Sequence, residues 1–184
     1  MDNISIIIPA YNELENIERL VKEIKKNIPK SKIFIVDDSN NNLIGKLILK
    51  KKLKVKYFHR GKKLGRGSAV IYGFKKAIKD NKNNIFIEMD ADFSHNPKEL
   101  KRNISFFNKK KLDLLIASRY LKKSKIINWG ISIRIFSKLA NILARNLLNI
   151  NLQDFTNGYR FYSKRSINKI IKKCGNIGDG FIIL

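Results

Sequence analysis

The most constraining feature of this sequence is a series of short apolar runs, rich in β-branched residues, that recurs about every 25 to 30 residues. The runs are bounded by turn residues and most lack polar alternation, which is typical of strands covered on both faces. We predict strands at Ile4–Ile8, Ile33–Val36, Val55–Phe58, Ile85–Met89 and Asp113–Ala117, and a short one at Gly158–Tyr162.

Helical patterns separate these runs. In the first, Asn12 is the predicted N-cap, and the apolar residues Ile17, Leu20, Val21 and Ile24 share one face. Further helices are predicted at Leu43–Leu49, Gly67–Lys79, from Pro97 onward, Ser132–Leu148 and Ser163–Lys172. Strands that alternate with helices indicate βαβ units, and therefore an α/β fold with a mainly parallel sheet. Ligands of such sheets bind at the carboxyl ends of the strands.

Length and composition set broad limits. The 184 residues suit a single domain over 1–184, and the one cysteine, Cys174, suits a reducing compartment, so we expect a cytoplasmic protein. No apolar run approaches the roughly 20 residues that span a bilayer. The net charge of +24 favours polyanions, although an A/T-rich genome would also enrich lysine. Without zinc ligands, an aromatic RNA-binding strand motif or a helix-turn-helix, nucleic acid is not an expected partner.

Two aspartates follow the fourth predicted strand. Asp90 and Asp92 flank Ala91, and residues i and i+2 of an extended chain project to the same side. Carboxylates this close repel each other unless a cation lies between them, and hard oxygen ligands suit Mg²⁺ or Mn²⁺. The alternative is a solvated turn with two exposed acids.

Other charged residues follow neighbouring strands. Asp37 and Asp38 end the second strand and can bind ribose hydroxyls or a base edge, or simply form a turn. The loop Arg60–Ser68 contains Lys63 and glycines beside a helix start, which favours an anion site or, alternatively, a basic surface turn. Arg119 follows the fifth strand and can clamp a phosphate or pair with a local acid.

Six stretches, taken in order, carry a family resemblance: Ile8–Ile17, Val36–Asp38, Lys63–Ala69, Met89–Pro97, Ser118–Tyr120 and Asp154–Tyr162. They resemble glycosyltransferase family 2 and, within it, the dolichyl-phosphate mannose synthase branch, whose block D-x-T-x-G-[FY]-R-x-Y is similar to Asp154–Tyr162. The resemblance covers essentially the whole chain.

The resemblance implies a GT-A (Rossmann-like) three-layer fold and metal-dependent transfer of a sugar, with inversion. The donor would be GDP-mannose or another nucleotide sugar such as a UDP-sugar, and the acceptor a polyprenyl or dolichyl phosphate. The implied nucleotide-sugar-binding residues are Pro9, Tyr11, Glu13, Asp37, Asp38, Lys63, Asp90 and Ala91. The implied metal ligands are Asp90, Asp92 and Ser94, and the residues implied to bind the acceptor phosphate are Arg119, Arg134 and Ser137. The implied catalytic residues are Asp92, Arg119 and Asp154, and Arg160 would line or brace the site.

The sequence departs from the family pattern at several positions. Asp38 is followed by Ser39 rather than by the usual glycine, Ser94 stands where a metal-binding glutamine is common, and Ile133 replaces a common arginine. The chain stops at Leu184, before the family's later segments, which implies a C-terminally shortened form. Rival hypotheses are therefore an inactive member, or a transferase with a glycan hydroxyl acceptor and Asp154 as base.

The predicted helix Ser132–Leu148 has two interpretations. With the lysines near 122–125 it could lie on an anionic leaflet, which implies peripheral contact with the cytoplasmic face of a membrane. The alternative is an ordinary core helix with a solvated basic face.

Overall fold

A computed structural model describes residues 3–80, 84–118, 139, 141–143, 145–147, 149, 152 and 154–174. Its strands are β1 (Ile4–Ala10), β2 (Lys32–Asp37), β3 (Lys56–His59), β4 (Ile85–Glu88), β5 (Leu114–Ile116) and β6 (Arg160–Ser163). Its helices are α1 (Leu14–Asn27), α2 (Leu43–Lys50), α3 (Arg66–Ala77), α4 (Leu100–Lys109) and α5 (Lys164–Cys174), with a 3₁₀ turn at Pro97–Glu99. Each of these strands and helices overlaps the segment predicted for it.

Within the described residues, the strands form one sheet in the order β3-β2-β1-β4-β6-β5. The pairs β1–β2, β2–β3 and β1–β4 are parallel, whereas β6 runs antiparallel to both β4 and β5. The carboxyl ends of β1 to β5 therefore meet the amino end of β6 at one side, which we call the carboxyl edge. The mainly parallel α/β architecture predicted from the sequence is confirmed.

Alternating side chains of the strands build a core on each face of the sheet. Ile6 and Ile8 of β1 belong to the larger core cluster, which α1, α2 and α4 cover, whereas Ile7 belongs to the cluster under α3 and α5. Side chains of the central strands also alternate between the two faces, and Phe34 of β2 and Phe86 of β4 lie on the face that α3 covers. Because both faces bury apolar residues, the strands read as nearly continuous hydrophobic runs.

The prediction that Asn12 caps α1 is wrong. The helix begins at Leu14, and the preceding residue, Glu13, makes no side-chain cap hydrogen bond. Asn12 instead adopts a left-handed conformation with φ of 59°, and its backbone N–H donates to the Ser39 hydroxyl at 2.9 Å. The tertiary contact with the end of β2 replaces the local cap, because asparagine tolerates this conformation better than most residues.

Most of the predicted helix Ser132–Leu148 lies outside the described residues. Those that are described at 139, 141–143 and 145–147 are helical. Asn141 is buried and accepts from the Phe155 backbone N–H at 2.5 Å, whereas Leu139, Leu143 and Leu147 are 60%, 61% and 75% exposed. These leucines therefore do not form a core face. Among the described residues, no helix is long and apolar enough to cross a membrane.

The core contacts predict a contrast between two phenylalanines. Phe74 of α3 is fully buried and packs edge-on against Phe86 and Tyr162, whereas Phe106 of α4 is 48% exposed. Phe74→Leu should lower the free energy of unfolding by about 1 to 2 kcal/mol, because it leaves unfilled space among the rings. The matched control, Phe106→Leu, should stay within about 0.5 kcal/mol of the parent. Urea unfolding followed by circular dichroism measures both, and equal losses would contradict the assigned packing.

Candidate functional site

A cavity of about 250 Å³ opens at the carboxyl edge, between the ends of β1, β2 and β4 and the loop that leads into α3. The predicted site residues that line it are Pro9, Tyr11, Glu13, Asp38, Lys63, Asp90, Ala91 and Asp92. It is also lined by Ala10, Gly65, Arg66 and Ala69. The structure therefore brings most of the residues predicted to bind the nucleotide sugar, together with the two aspartates, to one cavity, as the parallel topology requires.

Asp90 and Asp92 lie on a tight turn after β4. The exposed Asp92 accepts a hydrogen bond from the Ser94 backbone N–H at 2.9 Å through Oδ1. Phe93, which follows Asp92, has a φ of 62°, which is uncommon for a bulky residue. The Arg19 guanidinium of α1 lies 4.7 Å from the centre of the Phe93 ring and so helps to hold this turn against the helix.

Arg66, the first residue of α3, forms an ion-pair cluster with Asp90 and Glu88. Its Nε donates to Asp90 Oδ1 at 2.8 Å, Nη2 lies 2.6 Å from the same oxygen, and Nη1 pairs with Glu88. Glu88 is only 1% exposed, and its second oxygen accepts from the Tyr162 hydroxyl at 3.0 Å. Burial opposes the charge of Arg66, but the two carboxylates outweigh it and raise the pKa of the guanidinium. Arg66 is therefore a permanent positive charge at the cavity wall.

His95 and Asn157 connect the aspartate turn to the loop before β6. The Asp90 backbone N–H donates to His95 Nδ1 at 2.9 Å, so the neutral ring carries its hydrogen on Nε2. That nitrogen lies 3.0 Å from Asn157 Oδ1, which also accepts from the Tyr159 backbone N–H. Burial lowers the pKa of His95, and its ring stacks on Tyr159. A neutral, fixed imidazole thus sets the position of Asp90.

Asp38 fixes the basic loop at the cavity. It is 3% exposed, and its two oxygens accept from Arg60 Nε at 2.5 Å and Nη2 at 2.7 Å. The Leu64 backbone N–H also donates to Asp38, at 2.9 Å. This bidentate, nearly buried pair ties the loop to the end of β2. Lys63, on the same loop, lies with Nζ 4.7 Å from the centre of the Tyr11 ring at the cavity rim.

Asp37 lies behind the cavity wall rather than in it. Its carboxylate is fully buried and accepts from the Tyr57 hydroxyl at 2.8 Å and from the Ser39 backbone N–H at 2.9 Å. Burial, and then the neighbouring Asp37 carboxylate, raise the pKa of Tyr57, so its hydroxyl remains a donor. Of the two adjacent acids, the structure therefore places Asp38 at the cavity and Asp37 in support of the Ser39 turn.

Two further predicted residues are described but do not line the cavity. Ser94 is exposed and contributes its backbone N–H to Asp92. Asp154 is 1% exposed and accepts from the Asn157 backbone N–H at 3.1 Å, so it shapes its own loop. Arg160 donates to the carbonyls of Asn157 and Phe155, each at 2.6 Å, and so stabilises the same loop. The predicted residues Arg119, Arg134 and Ser137 lie outside the described residues.

The chemistry of the donors at this cavity fits a divalent cation that is partly ligated by its substrate. Asp90 and Asp92 supply carboxylate oxygens, and among the described residues there is no group of three acidic, histidine or cysteine side chains that could enclose a metal ion. Mg²⁺ in such sites is held by one or two carboxylates and completes its shell with water and phosphate oxygens. The residues present fit that open arrangement.

Sequence reasoning assigned no role to Arg66, Glu88, His95 or Asn157. Arg66, His95 and Asn157 lie within stretches that carry the family resemblance, and Glu88 ends the strand before the aspartate turn. What the sequence lacks is any signal of which residue each would meet, since their contacts join segments that are far apart along the chain.

Comparison with known proteins identifies the family. The family model described as glycosyl transferase family 2 matches residues 5–171. The chain belongs to glycosyl transferase family 2. It is 36% identical over 169 residues to a polyprenol monophosphomannose synthase of Mycolicibacterium smegmatis, covering 90% of this chain and 63% of that protein. It is 32% identical over 167 residues to an undecaprenyl-phosphate mannosyltransferase of Micrococcus luteus, covering 89% and 68% respectively. This family 2 chain thus spans about two thirds of the length of these curated relatives.

Solved structures share the fold. Glucosyl-3-phosphoglycerate synthase from Mycobacterium tuberculosis, in complex with Mn²⁺, uridine diphosphate and glucosyl-3-phosphoglycerate, aligns with a TM-score of 0.64 at 15% identity, over 96% of this chain and 66% of that one. S. aureus TarS, residues 1–349, aligns with a TM-score of 0.59 at 17% identity, over 98% of this chain and 51% of that one. The predicted GT-A fold is confirmed by these neighbours.

The His95–Asn157 connection predicts a measurable cost for its removal. Asn157→Ala leaves the His95 Nε2–H and the Tyr159 backbone N–H without their acceptor and the Ala117 carbonyl without its donor. We expect a loss of about 2 to 4 kcal/mol in the free energy of unfolding, because each buried polar group left unpaired costs about 1 to 3 kcal/mol. Asn168→Ala, at an exposed position of α5, is the control and should change little. Similar urea midpoints for the two variants would refute the connection.

Proposed function

We propose that this chain is the catalytic part of a glycosyltransferase that moves a sugar, mannose from GDP-mannose in the simplest case, onto a polyprenyl or dolichyl phosphate. The observation that carries the proposal is the cavity, at which the Pro9–Glu13 segment, Asp38 and Lys63 meet the aspartate pair Asp90 and Asp92. The printed names of the two curated relatives, a polyprenol monophosphomannose synthase and an undecaprenyl-phosphate mannosyltransferase, support the choice of sugar and acceptor.

The charges of the site suit the departure of a nucleoside diphosphate. Asp90 and Asp92 would hold Mg²⁺ or Mn²⁺, which when bound supplies positive charge to the leaving diphosphate. The Mn²⁺ in the structure of glucosyl-3-phosphoglycerate synthase supports this assignment. Lys63 and Arg66 add positive charge of the chain's own to the cavity, at the loop and at the start of α3. Ser94 remains a candidate third ligand through its exposed position beside Asp92.

Transfer would exchange one bond at the anomeric carbon for another. The bond from that carbon to the diphosphate oxygen breaks, and a bond to an oxygen of the acceptor phosphate forms on the opposite face, with inversion. A phosphate monoester is largely dianionic at pH 7, so the acceptor oxygen is already a nucleophile without a general base. The proposed partners of the acceptor phosphate are Arg119, Arg134 and Ser137. Of these, Arg119 follows β5 closely in the sequence.

The buried state of Asp154 favours the phosphate acceptor over a glycan hydroxyl. A hydroxyl needs a base within hydrogen-bond reach of its proton. Asp154 was the candidate base, yet it is 1% exposed and accepts from the backbone of its own loop. A lipid phosphate, which needs no such base, is therefore the simpler substrate for this site.

We further propose peripheral contact with the cytoplasmic face of a membrane, where a lipid-linked acceptor would be met. The exposed Leu139, Leu143 and Leu147 offer apolar contact, and the net charge of +24 favours an anionic leaflet.

The metal role of Asp92 gives the first functional prediction. Asp92→Asn should remove nearly all sugar transfer, about a hundredfold or more, because it removes a charged ligand without altering the fold. Radiolabelled transfer from GDP-mannose to polyprenyl phosphate, with soluble glycans assayed in parallel as acceptors, measures this effect. Asp113→Asn, at a half-exposed aspartate that pairs with Arg165, is the control and should retain activity. Full activity of Asp92→Asn would rule out the metal role, and transfer to glycans alone would exclude the lipid acceptor.

The choice of donor gives a second prediction. We expect GDP-mannose to bind at least about tenfold more tightly in the presence of Mn²⁺ than in its absence, because the cation offsets repulsion between the diphosphate and the aspartates. Isothermal titration with GDP-mannose and with UDP-glucose, each with Mn²⁺ and with EDTA, measures both the donor preference and its dependence on the cation. If UDP-glucose bound more tightly, it would replace GDP-mannose as the proposed donor.

A further inference from the structure

We infer that Arg66 is a positioning residue that competes with the divalent cation for Asp90 and thereby sets how tightly the site binds that cation. This inference rests on the proposed metal role of Asp90.

The contacts of Arg66 support direct competition. Its Nε and Nη2 lie 2.8 Å and 2.6 Å from Oδ1 of Asp90. A carboxylate oxygen of this kind is also what Mg²⁺ or Mn²⁺ requires. A guanidinium and a metal ion on one carboxylate would repel each other, so the presence of Arg66 must weaken cation binding.

Surrounding groups keep the guanidinium on Asp90. Glu88 binds Nη1 from beneath, and it is itself held by the Tyr162 hydroxyl. On another side lies Gly158, and a Cβ there would overlap with Arg66 Nη2 unless the guanidinium moved. The guanidinium therefore lies in a fitted position, and this distinguishes it from a mobile surface arginine.

Glu88 also gives Arg66 a second anchor. Because Glu88 is 1% exposed, its carboxylate needs Arg66 whatever happens at Asp90. Arg66 can therefore yield Asp90 to an incoming cation without becoming unpaired. Arg66 also lines the cavity, on the same side as the aspartates.

The test measures Mn²⁺ binding alone, without nucleotide sugar, by isothermal titration and by the electron paramagnetic resonance of free Mn²⁺. Arg66→Met removes the charge and keeps an unbranched side chain, so we expect Mn²⁺ to bind on the order of tenfold more tightly than in the parent. Arg165→Met, which removes a charge from an exposed pair with Asp113, is the matched control and should leave the affinity unchanged. Equal or weaker binding by Arg66→Met overturns the inference, since a merely structural arginine would give that result.

A second pair of variants guards against loss of the fold. Arg66→Met leaves the buried Glu88 carboxylate without its ion-pair partner, which could unfold the protein. We therefore also compare Glu88→Gln, which has no buried charge at position 88, with the double variant Glu88→Gln/Arg66→Met. Circular dichroism verifies both folds, and the double variant should again bind Mn²⁺ more tightly than its single parent. If the parent binds Mn²⁺ and a folded Arg66 variant binds it no more tightly than the form it is compared with, the inference fails while the proposed function stands. If no form binds Mn²⁺, the inference and the metal role both fail, and the transfer assay then decides the proposed activity separately.

Discussion

The cavity depends on backbone hydrogen bonds that hold the carboxyl ends of the four parallel strands β1 to β4 at matching heights. The Asp38 N–H donates to the Ala10 carbonyl at 2.9 Å, the Met89 N–H to Ile7 at 3.1 Å, and the Arg60 N–H to Asp37 at 2.8 Å. These bonds continue the ladders of β1 with β2 and β4, and of β2 with β3, just past the strand ends. A shift of one residue in any pair would turn its side chains to the other face and separate the acids.

Behind the cavity, buried carboxylates are neutralised by ion pairs with arginines rather than by contact with solvent. Glu88 and Asp38 are almost fully buried; Asp38 lies against Arg60 of the loop after β3, and Glu88 against Arg66, the first residue of α3. A buried carboxylate without such a partner would be costly, so these pairs fix the loop as firmly as apolar packing would. Most lysines that the structure describes are exposed, so the overall charge of +24 says little about this local balance.

Much of the fold could be predicted because its signals are local. Unbroken apolar runs such as those of β1 and β2 indicated buried parallel strands, and topology alone then placed Asp90 beside Asp38. The Asn12 cap was mispredicted because a tertiary hydrogen bond to Ser39 prevailed over the local preference. Asp37 and Asp38 could not be told apart, since which of two adjacent acids turns outward depends on Tyr57 and Arg60. The His95–Asn157 contact joins positions 62 apart, a separation that single-sequence patterns do not bridge.

The bidentate contact of Asp38 with Arg60 has a consequence for divergence among descendants of this chain. Both side chains are nearly buried, at 5% and 9% exposure, so replacing either one alone strands the opposite charge in the interior. Selection can therefore pass from this pair to an uncharged one only by a joint exchange at positions 38 and 60, or through a costly intermediate. Surface lysines have no buried partner of this kind, so they can be replaced one at a time. Positions 38 and 60, in contrast, are expected to change only together.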